Sequence, residues 1–474
     1  MYCQLESLRH CLPPSVRGIL EELPETLDET YEQILGEINK ANREHARRLL
    51  QCLAVARRPL HVEELAEILA IDFDTPAHGG IPQLNPNWRC ADQHQAVLST
   101  CSSLIAIEDN GNSRVALFSH FSVKEFLTSD RLARSSKDVF RYHIVLEPAH
   151  TTLAQACLGV LPQLDDRVKN HIGDIPLVKY AAQHWFDHAR FERVASHIGD
   201  AMEFFFDADK PHWAAWCQVQ KIDKSWENFI PDKGDGALPL YYASLGGFYN
   251  LAEHLVGRHP EQINARGGQM VAPLVAALRG KHFQVADLLH RSGADVDVRD
   301  ISEDTPLCIA CNTGALDVVQ WLLNHGANVN TPNKWSWAPL HSAVDQGHLQ
   351  ILQTLIDHNA DIHFRTKLGK SPLHLAASPL VKRDHVNMMQ VLLDQGADPN
   401  ARDNDNCTPL HLSSCWETGG YGHRQGTVDG TRLLLKRGAI IDAKDNSGWT
   451  PLQIALEHGR HDMVACLEAH GATR

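Results

Sequence analysis

A Pro-Leu dipeptide returns along the second half of the chain at nearly constant spacing. Its prolines are Pro239, Pro273, Pro306, Pro339, Pro372, Pro409 and Pro451, so the steps are 34, 33, 33, 33, 37 and 42 residues. A second landmark, written SGADVDV, HGANVNT, HNADIHF, QGADPNA, RGAIIDA and HGATR, keeps the same beat. Two landmarks in phase mean repeated supersecondary units, none of which can bury its apolar face alone, so neighbours must stack. At 474 residues the chain is in any case too long for one compact core.

The unit reads as two helices and a connecting stretch. Thr, Ser or Ala precedes Pro. A hydroxyl at that place caps a helix, and Pro suits the first helical position because it has no N–H to satisfy. Small residues such as Ala376 and Ala377 let the two helices of a unit lie close. A second helix follows with apolar spacing, as in Val318, Val319, Leu322 and Leu323, and ends at Gly326, where a left-handed turn is easy. Residues 366–371 contain Gly369-Lys370-Ser371, the closing letters of a phosphate loop. The first glycine of such a loop would fall at 364, which is Phe364, and no complete G-x-x-x-x-G-K-[ST] occurs in the chain. At a period of 33 these residues are instead a turn followed by a helix cap.

These features resemble the ankyrin-repeat family over residues 236–474, with six good repeats and a degenerate first one. The fifth repeat is enlarged by four residues around SPLVKRDHV and the sixth by nine around CWETGGYGHRQGT. Both enlargements fall between the two helices of a repeat. The resemblance implies binding of other proteins through hairpin tips and the concave face of the first helices.

Residues 1–140 read as a helical, winged-helix-like domain. LPETLDETYEQIL, REHARRLLQCLAVA and LHVEELAEILAI have helical spacing. QHQAVLSTCSS makes a further helix, LIAIE and RVALFSH a small β-hairpin, and FSVKEFLTSDRL a closing helix. The wording of LPETLDETYEQIL, RPLHVEELAEILAIDFD, VLSTCSSLI and FSHFSVKEFLTS resembles the region after the NTPase module of fungal NACHT-type, NOD-like signalling NTPases. That region goes by the label GPI inositol-deacylase winged helix domain. Residues 141–235, with LAQACLGVL and PLVKYAAQHWFDHA, resemble the helical connector that follows it. The fold expected is therefore mainly α: winged-helix-like module, helical connector, ankyrin solenoid. Neither a phosphate loop nor an acidic Mg²⁺ motif precedes residue 20. The expectation is a receptor-like chain without its NTPase module, with no ATP hydrolysis. No G-x-S-x-G nucleophile elbow supports a deacylase either.

Charge narrows the partners. The net charge is -14; residues 1–235 hold 24 basic and 34 acidic residues, or -10. Neither half is basic, and the helix at the recognition position has no Lys or Arg, so nucleic acid is disfavoured and DNA regulation is only a distant alternative. No run of about 18 apolar residues exists, so no membrane span is expected. The twelve cysteines are scattered rather than framed as disulfides, and no signal-peptide core opens the chain. Cytoplasm, with the nucleus as alternative, is the expected location.

No catalytic, cofactor or metal residue is expected, nor a small-molecule substrate. Cys308 and Cys311 form a C-x-x-C, but they take a repeat His slot and a packing slot. His341, His374 and His411 recur at one repeat position, where the imidazole ties its turn to the neighbouring backbone. His325, His358 and His470 lie at second-helix ends, and Asp165-Asp166 reads as a solvated turn. The candidate partner-binding residues are Trp335 at a tip, Lys334 and Trp337 beside it, Lys367 and Lys370 at the next tip, and Asn312 and Asp345 on first helices. A signalling or immunity-type fragment working with an NTPase partner in trans is the alternative role.

Overall fold

The computed structural model describes residues 26–74, 80–109, 111, 113–135, 138–164, 175–219, 238–265, 272–378, 385–417, 424–425 and 428–473. Asn110 and Asn112 of the hairpin turn, Asp165-Asp166, the 235/236 boundary and most of both repeat enlargements lie outside these residues. There are two compact units, Met1–Arg258 and His259–Arg474.

In the first unit, helix α1 (Leu27–Glu37) starts at a capping box: Thr26 Oγ1 accepts from Glu29 N at 3.2 Å and Glu29 returns a carboxylate to Thr26 N at 3.3 Å. Helix α2 (Arg43–Val55) follows, then β1 (Leu60–His61) and α3 (Val62–Leu69). The sequence read Leu60 and His61 as helix. They are instead extended and pair with Ala116 and Val115, because the edge of the later hairpin offers them backbone partners. Strands β2 (Ile71–Asp72) and β3 (Gln83–Leu84) form a short ladder inside the Pro/Gly-rich stretch. Helix α4 (Gln93–Cys101) leads to the hairpin β4 (Ile105–Asp109) and β5 (Arg114–Phe118), and the sheet order is β1-β5-β4. Three helices against a small three-stranded sheet make the winged-helix form. The closing segment is two helices, α5 (Phe121–Leu127) and α6 (Asp130–Ala133), because Ser129 caps the second.

Helix α3 carries two nearly wholly buried carboxylates. Glu64 meets Arg58 at 2.5 Å and Glu67 meets Arg89 at 2.5 Å. A buried carboxylate survives only with such a charge-assisted partner. These pairs fix α3 to the segments on either side of it.

The connector contains α7 (Leu146–Val160), α8 (Pro176–Ala189), α9 (Val194–His197), α10 (Gly199–Phe205) and α11 (Pro211–Val219). Trp185, Phe205, Phe206, Trp213 and Trp216 form one aromatic core. The first Pro-Leu helix pair, α12 (Pro239–Gly246) and α13 (Tyr249–Arg258), joins this unit by packing. Tyr242 lies 5.1 Å from Trp216 and Phe248 lies 5.2 Å from Phe186, ring centre to ring centre. The apolar face of an end repeat must be covered, and here the connector covers the degenerate repeat with aromatic surface.

The second unit stacks six helix pairs: α14 (Pro273–Arg279) and α15 (Phe283–Arg291), α16 (Pro306–Thr313) and α17 (Leu316–Asn324), α18 (Pro339–Gln346) and α19 (Leu349–Asp357), α20 (Pro372–Ala377) and α21 (His385–Asp394), α22 (Pro409–Ser414) and α23 (Val428–Lys436), α24 (Pro451–Glu457) and α25 (His461–Ala469). Between α22 and α23 the enlarged sixth repeat adds a ladder, β6 (Trp416–Glu417) with β7 (Arg424–Gln425). Two of the three repeat histidines act as expected, whereas His341 accepts from Ala338 N at 3.2 Å but its buried Nε2 has no hydrogen-bond partner among the described residues. Nδ1 of His374 accepts from Ser371 N at 3.2 Å, and its Nε2 donates to Cys407 O of the next repeat at 3.1 Å. His411 does the same with Thr408 N and Trp449 O. An Asn or Asp recurs at 264, 297, 330 and 400 and its side-chain oxygen accepts a backbone N–H of the following repeat, as Asn264 does from Asp295 and Asn330 from Asp361, both at 2.8 Å.

Candidate protein-interaction surface

Before each first helix from α16 onward the chain makes a five-residue tip. The tips are residues 300–304, 333–337, 366–370, 403–407 and 445–449. Each closes with a hydrogen bond from its first N–H to its fifth carbonyl, at 2.9 to 3.1 Å. The first residue is Asp, Asn or Thr, and its side chain accepts further N–H groups of the turn. Asn333 Oδ1 takes Trp335 N at 2.9 Å and Trp337 N at 3.0 Å, and Asp403 and Asp445 act alike. The fourth residue has positive φ every time: Glu303, Ser336, Gly369, Asn406 and Gly448. Adjacent tips are also joined. Lys334 N donates to Ser302 O at 3.3 Å, Lys367 N to Trp335 O at 3.1 Å, Asn404 N to Leu368 O at 3.1 Å and Asn446 N to Asp405 O at 3.0 Å. The tips are thus a continuous, hydrogen-bonded ridge with few backbone options left.

The ridge exposes apolar side chains. Ile301 is 68% exposed, Trp335 49% and Leu368 65%, on three consecutive tips. Lys334 Nζ sits 4.4 Å from the centre of the Trp335 ring. Large apolar groups held rigidly in water on adjoining turns mark an interaction surface. Sequence reasoning found Trp335 and missed Ile301 and Leu368. The available signal was an apolar residue where other tips carry Asn, Asp or Ser.

The other candidates divide. Lys334, Trp335 and Trp337 share one tip, and Lys367 and Lys370 occupy the next. Trp337 is half-buried, with its ring 6.1 Å from that of His341. Lys367 is exposed and Lys370 half-buried. Asn312 is exposed and Asp345 half-buried with its carboxylate on Gln346 Nε2 at 2.8 Å. Both stand at the far ends of their first helices, about 10 Å along the axis from the tips, so the structure does not bring them to the ridge.

The Ser–His and Thr–His contacts of the solenoid are caps rather than nucleophile–base pairs. Ser371 Oγ lies 2.8 Å from His374 Nδ1, but both ring nitrogens are already engaged with backbone and the ring is wholly buried. Cys308 and Cys311 are buried too. Burial pushes the Cys308 thiol up to about 11 and Cys311 well above its ordinary value. Burial thus opposes the thiolate that redox or metal chemistry requires. Cys308 Sγ approaches Thr331 O at 3.8 Å, a weak version of the histidine bridge. His325, His358 and His470 each place Nδ1 within 2.7 to 2.9 Å of the carbonyl four residues back. No helix among the described residues is long and apolar enough to cross a membrane.

Comparison with known proteins agrees with the fold. Ankyrin-repeat models match residues 273–366, 368–404 and 422–468. The winged helix domain of GPI inositol-deacylase matches residues 34–137. The chain therefore carries ankyrin repeats behind a winged helix domain of that type. It is similar to azaphilone pigments biosynthesis cluster protein L of Monascus ruber, with 31% identity over 300 residues. That alignment covers 58% of this chain and 61% of the relative, less than two thirds of its length.

Proposed function

We propose that this protein is a non-enzymatic interaction module that holds a partner protein on the ridge of ankyrin tips. The observation that carries the reading is the row of exposed Ile301, Trp335 and Leu368 on turns whose backbone is already fixed by hydrogen bonds. Such preorganisation removes much of the ordering cost of binding. Trp335 and the apolar tips anchor the partner; Asn312 and Asp345 on the first helices extend the contact where the partner reaches over the concave side.

A random-peptide display library panned on the full chain tests this. Enriched peptides are re-measured on a Trp335→Ala/Leu368→Ser variant. Both side chains are exposed, so folding stability stays within about 0.5 kcal/mol, while affinity falls at least about tenfold. Peptides that bind the variant and the parent equally well would remove the tips from the reading. Turnover of a nucleotide or ester by the purified chain would remove the non-enzymatic part.

The winged helix match favours a second role, a signalling regulator whose N-terminal unit docks on a NACHT-type NTPase acting in trans. Failure of a recombinant NTPase module to co-elute with the chain would count against it. The relative's name further suggests service to a pigment biosynthesis cluster, which a gene deletion followed by pigment profiling tests. A DNA role finds no support in α4, which lacks Lys and Arg, and a gel shift at moderate salt tests it.

A further inference from the structure

Resting on the tip-ridge reading, we propose that the partner presents an acidic segment bearing aliphatic or aromatic side chains, and that Lys334, Lys367 and Lys370 select it. The tips 333–337 and 366–370 carry these three lysines and no acid. The tips on either side are acidic: Asp300, Glu303 and Asp304 on one, Asp403 and Asp405 on the other. The ridge therefore has a cationic window two tips wide, on a chain whose net charge is -14.

Among the described residues no carboxylate lies within ion-pair distance of the three ammonium groups, whereas Lys281, for example, pairs with Asp317 at 2.8 Å. Asp304, the acid next in line to Lys334, feels its charge but accepts its hydrogen bond from Asn333 Nδ2, at 2.8 Å. The lysines are placed beside the apolar anchors rather than away from them. Lys334 Nζ caps the Trp335 ring, and Lys367 and Lys370 flank Leu368 along the same turn. A ligand carboxylate that meets Lys334 thus brings its neighbouring side chain onto the indole. Apolar burial supplies affinity and the charge pairs supply register and choice of partner.

The same pattern disfavours a nucleic-acid strand. A long polyanion crossing the window meets Asp300 and Asp304 on one side, beside the Arg299–Glu303 pair, and the exposed Asp405 on the other. A short acidic peptide fits between them, and like charge at the borders stops it from sliding.

The test uses the full chain and four labelled probes: a peptide of Glu and Leu/Phe residues, the same peptide with Lys for Glu, the same peptide with Ser for Leu/Phe, and a single-stranded oligonucleotide. Fluorescence anisotropy is read at low and moderate salt. The acidic-apolar peptide binds at least about tenfold more tightly than the Lys and Ser versions, and its affinity falls as salt rises. In a Lys367→Glu/Lys370→Glu variant the preference between acidic and basic peptides reverses. Equal binding of the acidic and basic peptides, or no effect of charge reversal, overturns the acidic-partner proposal. Display peptides that still depend on Trp335 would then leave the tip-ridge reading standing; loss of both would end both. An oligonucleotide that binds more tightly than the acidic peptide, and is lost on charge reversal, overturns the proposal in favour of nucleic acid.

Discussion

Acid should weaken the first unit well above the pH at which carboxylates titrate, and the cause is a pair of buried imidazoles. His188 of α8 is wholly buried and His150 of α7 nearly so. Their Nδ1 atoms lie 2.8 Å apart, and Tyr180 Oη is 2.8 Å from His188 Nε2. Arg57 N donates to Tyr180 Oη at 3.1 Å. One arrangement of protons satisfies the chain. Arg57 N–H donates to Tyr180, the phenol O–H donates to His188 Nε2, and His188 Nδ1–H donates to His150 Nδ1. Both rings must then be neutral. Burial, with the Arg57 charge nearby, pushes His188 down to about 3 and His150 to about 4. Burial raises the Tyr180 phenol, so it keeps its proton.

An unfolded imidazole titrates near about 6.5. Above that value neither state holds the proton and the full stability is present. Below it the unfolded chain binds protons that the folded chain refuses, so stability falls as pH drops toward the folded values. At pH 5.5 the loss is about 1.4 kcal/mol per imidazole, and up to about 3 kcal/mol for the two together relative to pH 7.5. Burial lowers His212 also, so it acts in the same direction. Urea unfolding followed by tryptophan emission measures this, since Trp185, Trp213 and Trp216 lie in the same unit. A His150→Gln/His188→Gln variant should lose most of the pH dependence between 7.5 and 5.5, whatever its absolute stability. Unfolding midpoints that do not move over this range, or a drop undiminished in the double variant, would refute the reasoning.

Three further expectations concern the solenoid. Gly369→Ala places a Cβ 2.4 Å from Asn404 Oδ1 at φ +75, whereas Gly448→Ala, at φ +80, meets nothing within 4 Å. The second should cost about 1 kcal/mol for the left-handed backbone alone, and the first at least twice that, by comparison of thermal melts. His411→Ala leaves the Thr408 N–H and the Trp449 carbonyl without their partner; a loss of about 1–3 kcal/mol in urea unfolding is expected. Arg460 is wholly buried and donates to Ser413 O at 2.8 Å and Cys415 O at 3.4 Å. Arg460→Met should destabilise by about 2–4 kcal/mol, seen as early proteolysis of the last two repeats.

How much of this was legible depends on whether a feature repeats. The helix pairs follow from period, Pro and cap residues, and the structure places them there. The tips repeat in backbone but not in residue type: the left-handed position holds Glu303, Ser336, Gly369, Asn406 and Gly448, so no glycine pattern marks it. Asx and Thr side chains at the first position stabilise the turn enough for ordinary residues to adopt that φ. Ile301 and Leu368 escaped notice for a related reason. Elsewhere in a repeat an isolated apolar residue signals burial, and only the register of the ridge shows these two to be exposed. Strand β1 was hidden because two residues carry no periodicity, and their partner strand lies more than fifty residues later. Nothing in the sequence marks Arg460, just before α25, as buried. In the sixth repeat, however, the chain leaves α22 early, at Ser414, to build the β6–β7 ladder. That departure strands helix-end carbonyls inside the stack, and a long cation from the next repeat is what reaches them. Where the repeat deviates, a one-unit reading fails, because the compensating residue sits in the neighbouring unit.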